Sequence, residues 1–233
     1  MEFVVISKTL PCAQDLCARI AAIHRGSVSP EEGCFGFPTP SYLGGFSLPT
    51  QWERSWATLF ARMLQRLCEF ESELHGPWLK DEDSFRTLLS QTVPHLLSPL
   101  QRGDRPIKPC LVHGNLSADH IGVNMATGEP VVFSPSPLYA HNEYELGMWR
   151  RKIGMFTRSY FEEYQKHIPP SDPVEQWDDR IRLYSIHFNL ACVLTTPRVP
   201  DVQRQILEDI HYLNEKFPPK DIDGLPSAGQ SRR

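Results

Sequence analysis

The chain has 233 residues, 40% of them hydrophobic, which is enough apolar material to bury the core of one or two domains. Its 24 basic and 28 acidic side chains give a net charge of -4, which argues against nucleic acid and anionic membranes as partners. The six cysteines form no C-x-x-C pair, so neither a common zinc pattern nor a small disulfide scaffold is present. Because no signal-peptide pattern and no long apolar run occur, we expect a cytoplasmic protein.

The first part of the sequence predicts a strand, a helix and a long loop. A β-branched run at residues 3–6 favours one short strand. Leu16, Ile20 and Ile23 follow at helical spacing and predict a helix with these side chains on its buried face. Residues 26–48 are rich in Gly, Pro and Ser and predict an irregular loop.

Two apolar helices are predicted next. Thr50 and Glu53 have the spacing of a capping box, which places the start of a helix there. Its apolar stripe, predicted to face the core, consists of Trp52, Trp56, Leu59, Phe60, Met63, Leu67 and Phe70. The third helix spans about residues 85–100, and Pro94 is expected to kink it.

The middle of the chain changes to short strands. A strand at residues 111–113 leads into a polar loop, and a hairpin is predicted from residues 121–123 and 131–133, with a turn at Thr127-Gly128. Residues 143–167 then favour a helix. Two more helices carry apolar faces made of Trp177, Ile181, Tyr184 and Phe188, and of Val202, Ile206, Ile210 and Leu213. The predicted class is therefore α+β, mainly helical.

Two loops in this region carry a family resemblance. Residues 111–120 have the sequence LVHGNLSADH and residues 131–135 the sequence VVFSP. Together they resemble the catalytic and metal-binding loops of the fructosamine kinases, also called ketosamine 3-kinases or protein-ribulosamine 3-kinases. The segments at 33–37 and 42–44 resemble the family's Gly-Phe-Gly-Phe and Tyr-x-Gly segments, so the similarity covers nearly the whole chain.

The resemblance implies a fold and a reaction. The fold is the large, C-terminal lobe of a protein-kinase-like domain of the aminoglycoside-phosphotransferase type. In this interpretation residues 1–10 are a remnant of the hinge strand, residues 11–217 are the large lobe, residues 218–233 are a disordered tail, and the small lobe with its phosphate-binding lysine is missing. The family reaction is ATP-dependent phosphorylation of the 3-hydroxyl of ketosamines on glycated proteins, which leads to deglycation.

The same resemblance assigns positions to the site residues, and several depart from the family pattern. Asn115 stands at the position of the catalytic base but cannot accept a proton as a carboxylate does. His120 and Ser134 stand at the two metal positions, and a soft nitrogen and a neutral hydroxyl suit Mg²⁺ poorly. His113 begins the catalytic loop. Glu145 stands where the family has an aspartate as an acidic anchor, which is a conservative change.

These departures predict a pseudokinase-like binding or regulatory module, with a glycated amine or a protein as partner. No cofactor is expected, and ATP and Mg²⁺ enter only if the alternative holds, an active protein-ribulosamine or fructosamine 3-kinase. Three other possibilities stay open. They are a different enzyme class with His113 or His120 as base, a metal site formed by His113, His120 and His141, and a gene-model truncation at the N-terminus. Asp119 is interpreted as a loop or capping residue.

Overall fold

A computed structural model describes residues 4–77, 79, 82–103, 106–152, 154–196 and 199–218. The fold is α+β, and helices make up most of the regular structure, as predicted. The strands are β1 (Ile6–Ser7), β2 (Ser41–Leu43), β3 (Phe46–Leu48), β4 (Cys110–Val112), β5 (Ile121–Asn124), β6 (Pro130–Val132) and β7 (Leu138–Ala140). The helices are α1 (Ala13–Gly26), α2 (Trp56–His75), α3 (Glu82–Thr87), α4 (Val93–Leu97), α5 (Asn142–Trp149), α6 (Arg158–His167), α7 (Trp177–Thr195) and α8 (Pro200–Lys216).

The strands pair in three small antiparallel sheets. The order β1-β5-β6 forms the largest, with Ile6 opposite Asn124 and Ile121 opposite Val132. Strand β4 pairs with β7, and β2 pairs with β3. The predicted hairpin at 121–133 is therefore confirmed as β5 and β6. Strand β7, which was not predicted, lies between the hairpin and α5 in the sequence.

The first elements differ from the prediction in detail. The first described strand is β1 at Ile6–Ser7, which overlaps the predicted run of residues 3–6 at Ile6. The first residue of that run lies outside the described ranges. In α1 the buried face includes Leu16, Ile20 and His24, whereas Ile23 is 38% exposed. Residues 26–48 are not wholly irregular, because β2 and β3 form a hairpin there. Its turn needs glycine, since Gly44 and Gly45 have φ of 59° and 89°.

The predicted capping box at Thr50 and Glu53 is wrong. Helix α2 begins at Trp56, and the side chain of Ser55 caps it by accepting a hydrogen bond from the Thr58 amide at 3.2 Å. Glu53 pairs instead with the backbone of Phe35. The apolar stripe from Trp56 to Leu67 is buried as predicted, but Trp52 lies before the helix.

The predicted third helix is interrupted, as Pro94 suggested. Helix α3 passes into a π-helical turn at Leu88–Thr92 before α4 begins. Proline lacks an amide hydrogen and its ring clashes with the preceding turn, so regular α-helical bonding cannot continue through it. The predicted helix over 143–167 is also two elements, α5 and α6, which are separated by a bend containing Gly154. The charged residues 150–152 include no proline, so they do not indicate that the helix ends there.

Helices α7 and α8 confirm the two C-terminal apolar faces. Ile181, Tyr184 and Phe188 are buried in α7, and the four predicted α8 residues are buried too. Helix α7 runs through the core and also buries Arg180, which forms an ion pair with Glu143 of α5 at 2.7 Å. The predicted tail falls mainly on residues outside the described ranges.

Two buried histidines of the core predict a dependence of stability on pH. Burial lowers the pKa of His141 to about 4 and that of His187 to about 3, from 6.5. Below pH 6.5 the unfolded chain therefore binds protons that the folded chain does not, so the stability present above pH 6.5 is lost as the pH falls. We expect each histidine to cost roughly 2 kcal/mol at about pH 5.

Urea unfolding at about pH 7.5 and about pH 5 measures this loss. The His187→Gln variant cannot titrate and should lose roughly 2 kcal/mol less than the unmodified chain between the two pH values. An identical loss in both proteins would contradict the assignment of His187 as a neutral core residue.

Candidate functional site

The loop that follows β4 is held in place by one buried carboxylate. Glu145, in the first turn of α5, is fully buried and accepts hydrogen bonds from the amides of His113 at 2.5 Å and Gly114 at 3.0 Å. Gly114 has φ of 70°, and a Cβ there would lie 2.0 Å from the carbonyl oxygen of Ser136. Glu145 therefore anchors the backbone at a point where only glycine fits.

His113 uses both of its ring nitrogens for the backbone. Its Nδ1 accepts the amide of Asn115 at 3.3 Å, so the proton is on Nε2, which donates to the carbonyl of Phe133 at 3.0 Å. Burial lowers the pKa of His113, which favours this neutral form. With both nitrogens occupied, His113 ties the loop after β4 to the end of β6.

Asn115 and Ser134 face each other across the two loops. The side-chain amide of Asn115 donates to the backbone carbonyl of Ser134 at 3.1 Å. Ser134 itself is exposed and has φ of 55°, which makes it the one non-glycine in the left-handed region among the described residues. A strained, non-glycine conformation of this kind is typical of functional loops. A carboxylate at position 115 has no proton with which to make this bond.

His120 lies at the other end of the loop. Its Nδ1 donates to the carbonyl of Asn115 at 2.8 Å, and its own carbonyl accepts the amide of Phe133 at 3.1 Å. The amide of Ser136 also donates to the carbonyl of His113 at 2.8 Å. The structure thus brings Asn115, His120 and Ser134 together at one junction, which we call the loop junction (residues 113–120 and 133–136).

A chain of polar groups, linked by hydrogen bonds, leads through the protein interior to Glu145. The hydroxyl of Tyr164 accepts from Asn142 Nδ2 at 3.0 Å and donates to His24 Nδ1 at 2.8 Å. His24 Nε2 then lies 3.7 Å from Glu145 Oε2. Burial raises the pKa of Tyr164 well above its usual value, so the phenol keeps its proton. Sequence reasoning missed this network because its members come from α1, α5 and α6.

The side chains at the loop junction do not fit Mg²⁺. Asn115, His120 and Ser134 offer an amide, an imidazole and a hydroxyl, whereas Mg²⁺ prefers anionic oxygen. The oxygens of Glu145 are occupied by backbone amides, and Asp119 is exposed in a 3-10 turn. Within the described ranges no group of three or more His, Cys, Asp or Glu side chains is arranged to hold a metal ion.

The proposed three-histidine metal site is wrong. His141 is fully buried, and its two ring nitrogens bond to Tyr184 Oη at 2.9 Å and Ser171 Oγ at 2.9 Å. His113 and His120 bond elsewhere, as described above. The three rings therefore cannot converge on one ion.

Three half-buried aromatic rings lie beside the loop junction. The ring of Tyr139, in β7, lies 6.2 Å from that of Phe37 and 6.0 Å from that of Trp52. Tyr139 is opposite Leu111, two residues before the loop, and its backbone also pairs with Gly36. We call these three rings the aromatic cluster. Sequence reasoning placed Trp52 in a helix and so did not find it.

No helix in the described part of the chain is long and apolar enough to span a membrane.

The sequence model of fructosamine kinases matches residues 1–200. A probable ketoamine kinase of Staphylococcus aureus is 29% identical over 171 residues, which cover 73% of this chain and 56% of that protein. A chloroplastic protein-ribulosamine 3-kinase of Oryza sativa subsp. japonica is 30% identical over 195 residues, covering 82% and 53%. The ketosamine-3-kinase of Mus musculus is 26% identical over 153 residues, covering 65% and 45%. The chain spans about half the length of the curated relatives it matches.

Two solved structures assigned as fructosamine-3-kinases have the same fold. The one from Haemophilus somnus has a TM-score of 0.71 at 18% identity, and the match covers 90% of this chain and 66% of that chain. The one from Thermobifida fusca has a TM-score of 0.67 at 20% identity and covers 92% and 69%.

Proposed function

We propose that this chain, which belongs to the fructosamine kinase family, is a binding or regulatory module of that family that does not transfer phosphate. The observation that carries the proposal is the hydrogen bond from the Asn115 amide to the Ser134 carbonyl at 3.1 Å. This bond supports the proposal because it uses a neutral donor at the position that the resemblance assigns to the family's base. His120 and Ser134 add no negative charge.

Phosphoryl transfer needs negative charge among the positions where this chain has Asn115, His120 and Ser134. A carboxylate must orient the attacking hydroxyl and accept its proton, and metal ions must neutralise the charge that develops on the phosphates. Asn115 is not basic, and the donors at His120 and Ser134 do not suit Mg²⁺. Losing a single electrostatic element of this kind lowers the rate by about 10²–10³, so we expect no measurable turnover.

The ligand of this module is proposed to be a glycated amine. The aromatic cluster of Phe37, Trp52 and Tyr139 offers apolar ring faces beside the loop junction. The Ser134 and Asp119 side chains of the loop junction are exposed and provide hydrogen-bonding groups for hydroxyls and an amine. A sugar carrying an amine presents both kinds of surface, and binding it requires no nucleotide.

Active ketosamine 3-kinase is the second candidate. The retained loop geometry favours it, namely the left-handed Ser134 and the anchoring of His113 and Gly114 by Glu145. The names of the relatives favour it as well. The two candidates differ in what stabilises the chain, since the kinase requires Mg²⁺ and ATP.

Thermal unfolding with added fructosyl-lysine tests the proposal. A ligand at 100 times its Kd stabilises the folded state by about 2.7 kcal/mol, so we expect a higher midpoint without nucleotide and no added effect of Mg²⁺ and ATP. Tyr139→Ala should reduce the shift, whereas Tyr42→Ala, a 57% exposed tyrosine on β2, should not. A midpoint that rises only with Mg²⁺ and ATP would favour the kinase.

A further inference from the structure

A second groove lies away from the loop junction. It has a volume of about 890 Å³ and is formed by the end of α5, the bend before α6, and the facing sides of α6, α7 and α8. None of its lining residues belongs to residues 113–136. Several aromatic rings and several cationic side chains line it, including Trp149, Phe156, Trp177, Arg150, Arg151 and Arg182.

The positive charge of this groove is not fully paired with carboxylates, and Arg151 in particular has no carboxylate partner among the described residues. Arg150 and Arg182 share a single buried carboxylate, Asp209, at 3.0 Å and 2.5 Å. Arg151 is half-buried, and its bonds go to neutral atoms, from Nε to Asn189 Oδ1 at 3.1 Å and from Nη1 to Met148 Sδ at 3.4 Å. A guanidinium has five N–H groups, so several of its donors are available to a ligand.

The carboxylates that line the groove do not neutralise the positive charge of Arg151. Glu162 is paired with Arg158 at 2.7 Å and Asp179 with Lys216 at 2.9 Å. Glu175 and Asp178 are exposed, where water and salt screen their charge. No described carboxylate bonds to Arg151.

A stacked pair of aromatic rings adds a second observation. Trp149 is 1% exposed and lines the groove. Its ring is stacked on Phe156 at 4.8 Å between centroids. The pair gives the groove an apolar wall beside Arg151.

We propose that this groove binds a small organic phosphate. The phosphoryl group supplies three acceptor oxygens and negative charge, which match the open donors of Arg151. The aromatic lining of Phe156 and Trp177 takes the apolar part of the ligand. The groove is separate from the loop junction, so this proposal does not rest on the function proposed above.

Calorimetric titration with phenyl phosphate, in phosphate-free buffer at physiological ionic strength, tests the proposal. We expect saturable binding to the full chain, weakened at least about tenfold in Arg151→Gln, which keeps polarity and removes the charge. Arg204→Gln, on the outer side of α8, is the matched control and should bind as the unmodified chain does.

Three results would overturn the proposal. The first is no saturable binding of phenyl phosphate to the unmodified chain. The second is equal binding by Arg151→Gln and Arg204→Gln, with circular dichroism showing both folded. The third is benzoate binding as tightly as phenyl phosphate, since that would assign a carboxylate and not a phosphate site. Stronger binding of phenyl phosphate than of benzoate, lost in Arg151→Gln, supports it.

Discussion

Replacing Arg180 with methionine is expected to lower the free energy of unfolding by about 3–5 kcal/mol. Arg180 is fully buried and donates to Glu143 Oε2 at 2.7 Å and Oε1 at 3.0 Å. It also donates to the carbonyls of Pro173 and Ser171, both at 2.8 Å. The variant leaves the Glu143 carboxylate buried with the Ser171 amide as its remaining donor in this group. It also removes the arginine donor from the Ser171 carbonyl, whereas the Pro173 carbonyl keeps the Gln176 amide at 3.2 Å.

Urea unfolding of Arg180→Met measures this loss. Arg204→Met removes a 66% exposed arginine on α8 and should change the free energy of unfolding by less than about 0.5 kcal/mol. The double variant Glu143→Met with Arg180→Met removes both charges and should recover part of the loss, since an uncompensated buried charge is the main cost. A loss below about 1 kcal/mol in the single variant would show that the pair is not a structural element of the core.

Replacing Glu145 with glutamine is expected to cost about 2–4 kcal/mol of stability. The carboxylate accepts from two backbone amides, at His113 and Gly114, and glutamine turns one of the two acceptors into a donor facing an amide. The loop junction should loosen at the same time, because this contact fixes its first residues. Glu145→Asp keeps the charge and should lose less.

Chemical unfolding and amide hydrogen exchange together test the anchor. Glu129→Gln, on an exposed glutamate paired with Arg19, is the control and should change stability by less than about 0.5 kcal/mol. In Glu145→Gln the amides of His113 and Gly114 should exchange faster, whereas a uniform change over the whole chain would contradict a local anchoring role.

The elements with strong helical periodicity were predicted from the sequence alone. Helix α8 was found because Val202, Ile206, Ile210 and Leu213 repeat along one face. Other boundaries depended on contacts between distant segments. The start of α2 was misplaced because Glu53 bonds to the backbone of Phe35, which no local pattern reveals. Short hairpins such as β2 and β3 were hidden in a Gly- and Pro-rich stretch.

The candidate site was predictable only in part. The resemblance to the family identified His113, Asn115, Ser134 and Glu145, and the structure brings these residues to one junction. Their local roles needed geometry, since Nε2 of His113 donates to the carbonyl of Phe133, which follows β6 and is distant in the sequence. His24, which lies between Tyr164 and Glu145 in the buried network, comes from α1, at a distance in the sequence that no motif records.

Phosphate transfer to a ketosamine decides between a binding module and an active kinase. The unmodified chain is incubated with ATP, Mg²⁺ and fructosyl-lysine, and phosphorylated product is quantified beside an Asn115→Ala variant prepared in the same way. We expect no transfer above the level of the variant, because Asn115 is not basic and the donors of His120 and Ser134 do not suit Mg²⁺. Transfer by the unmodified chain that is lost in Asn115→Ala would contradict it and identify an active kinase.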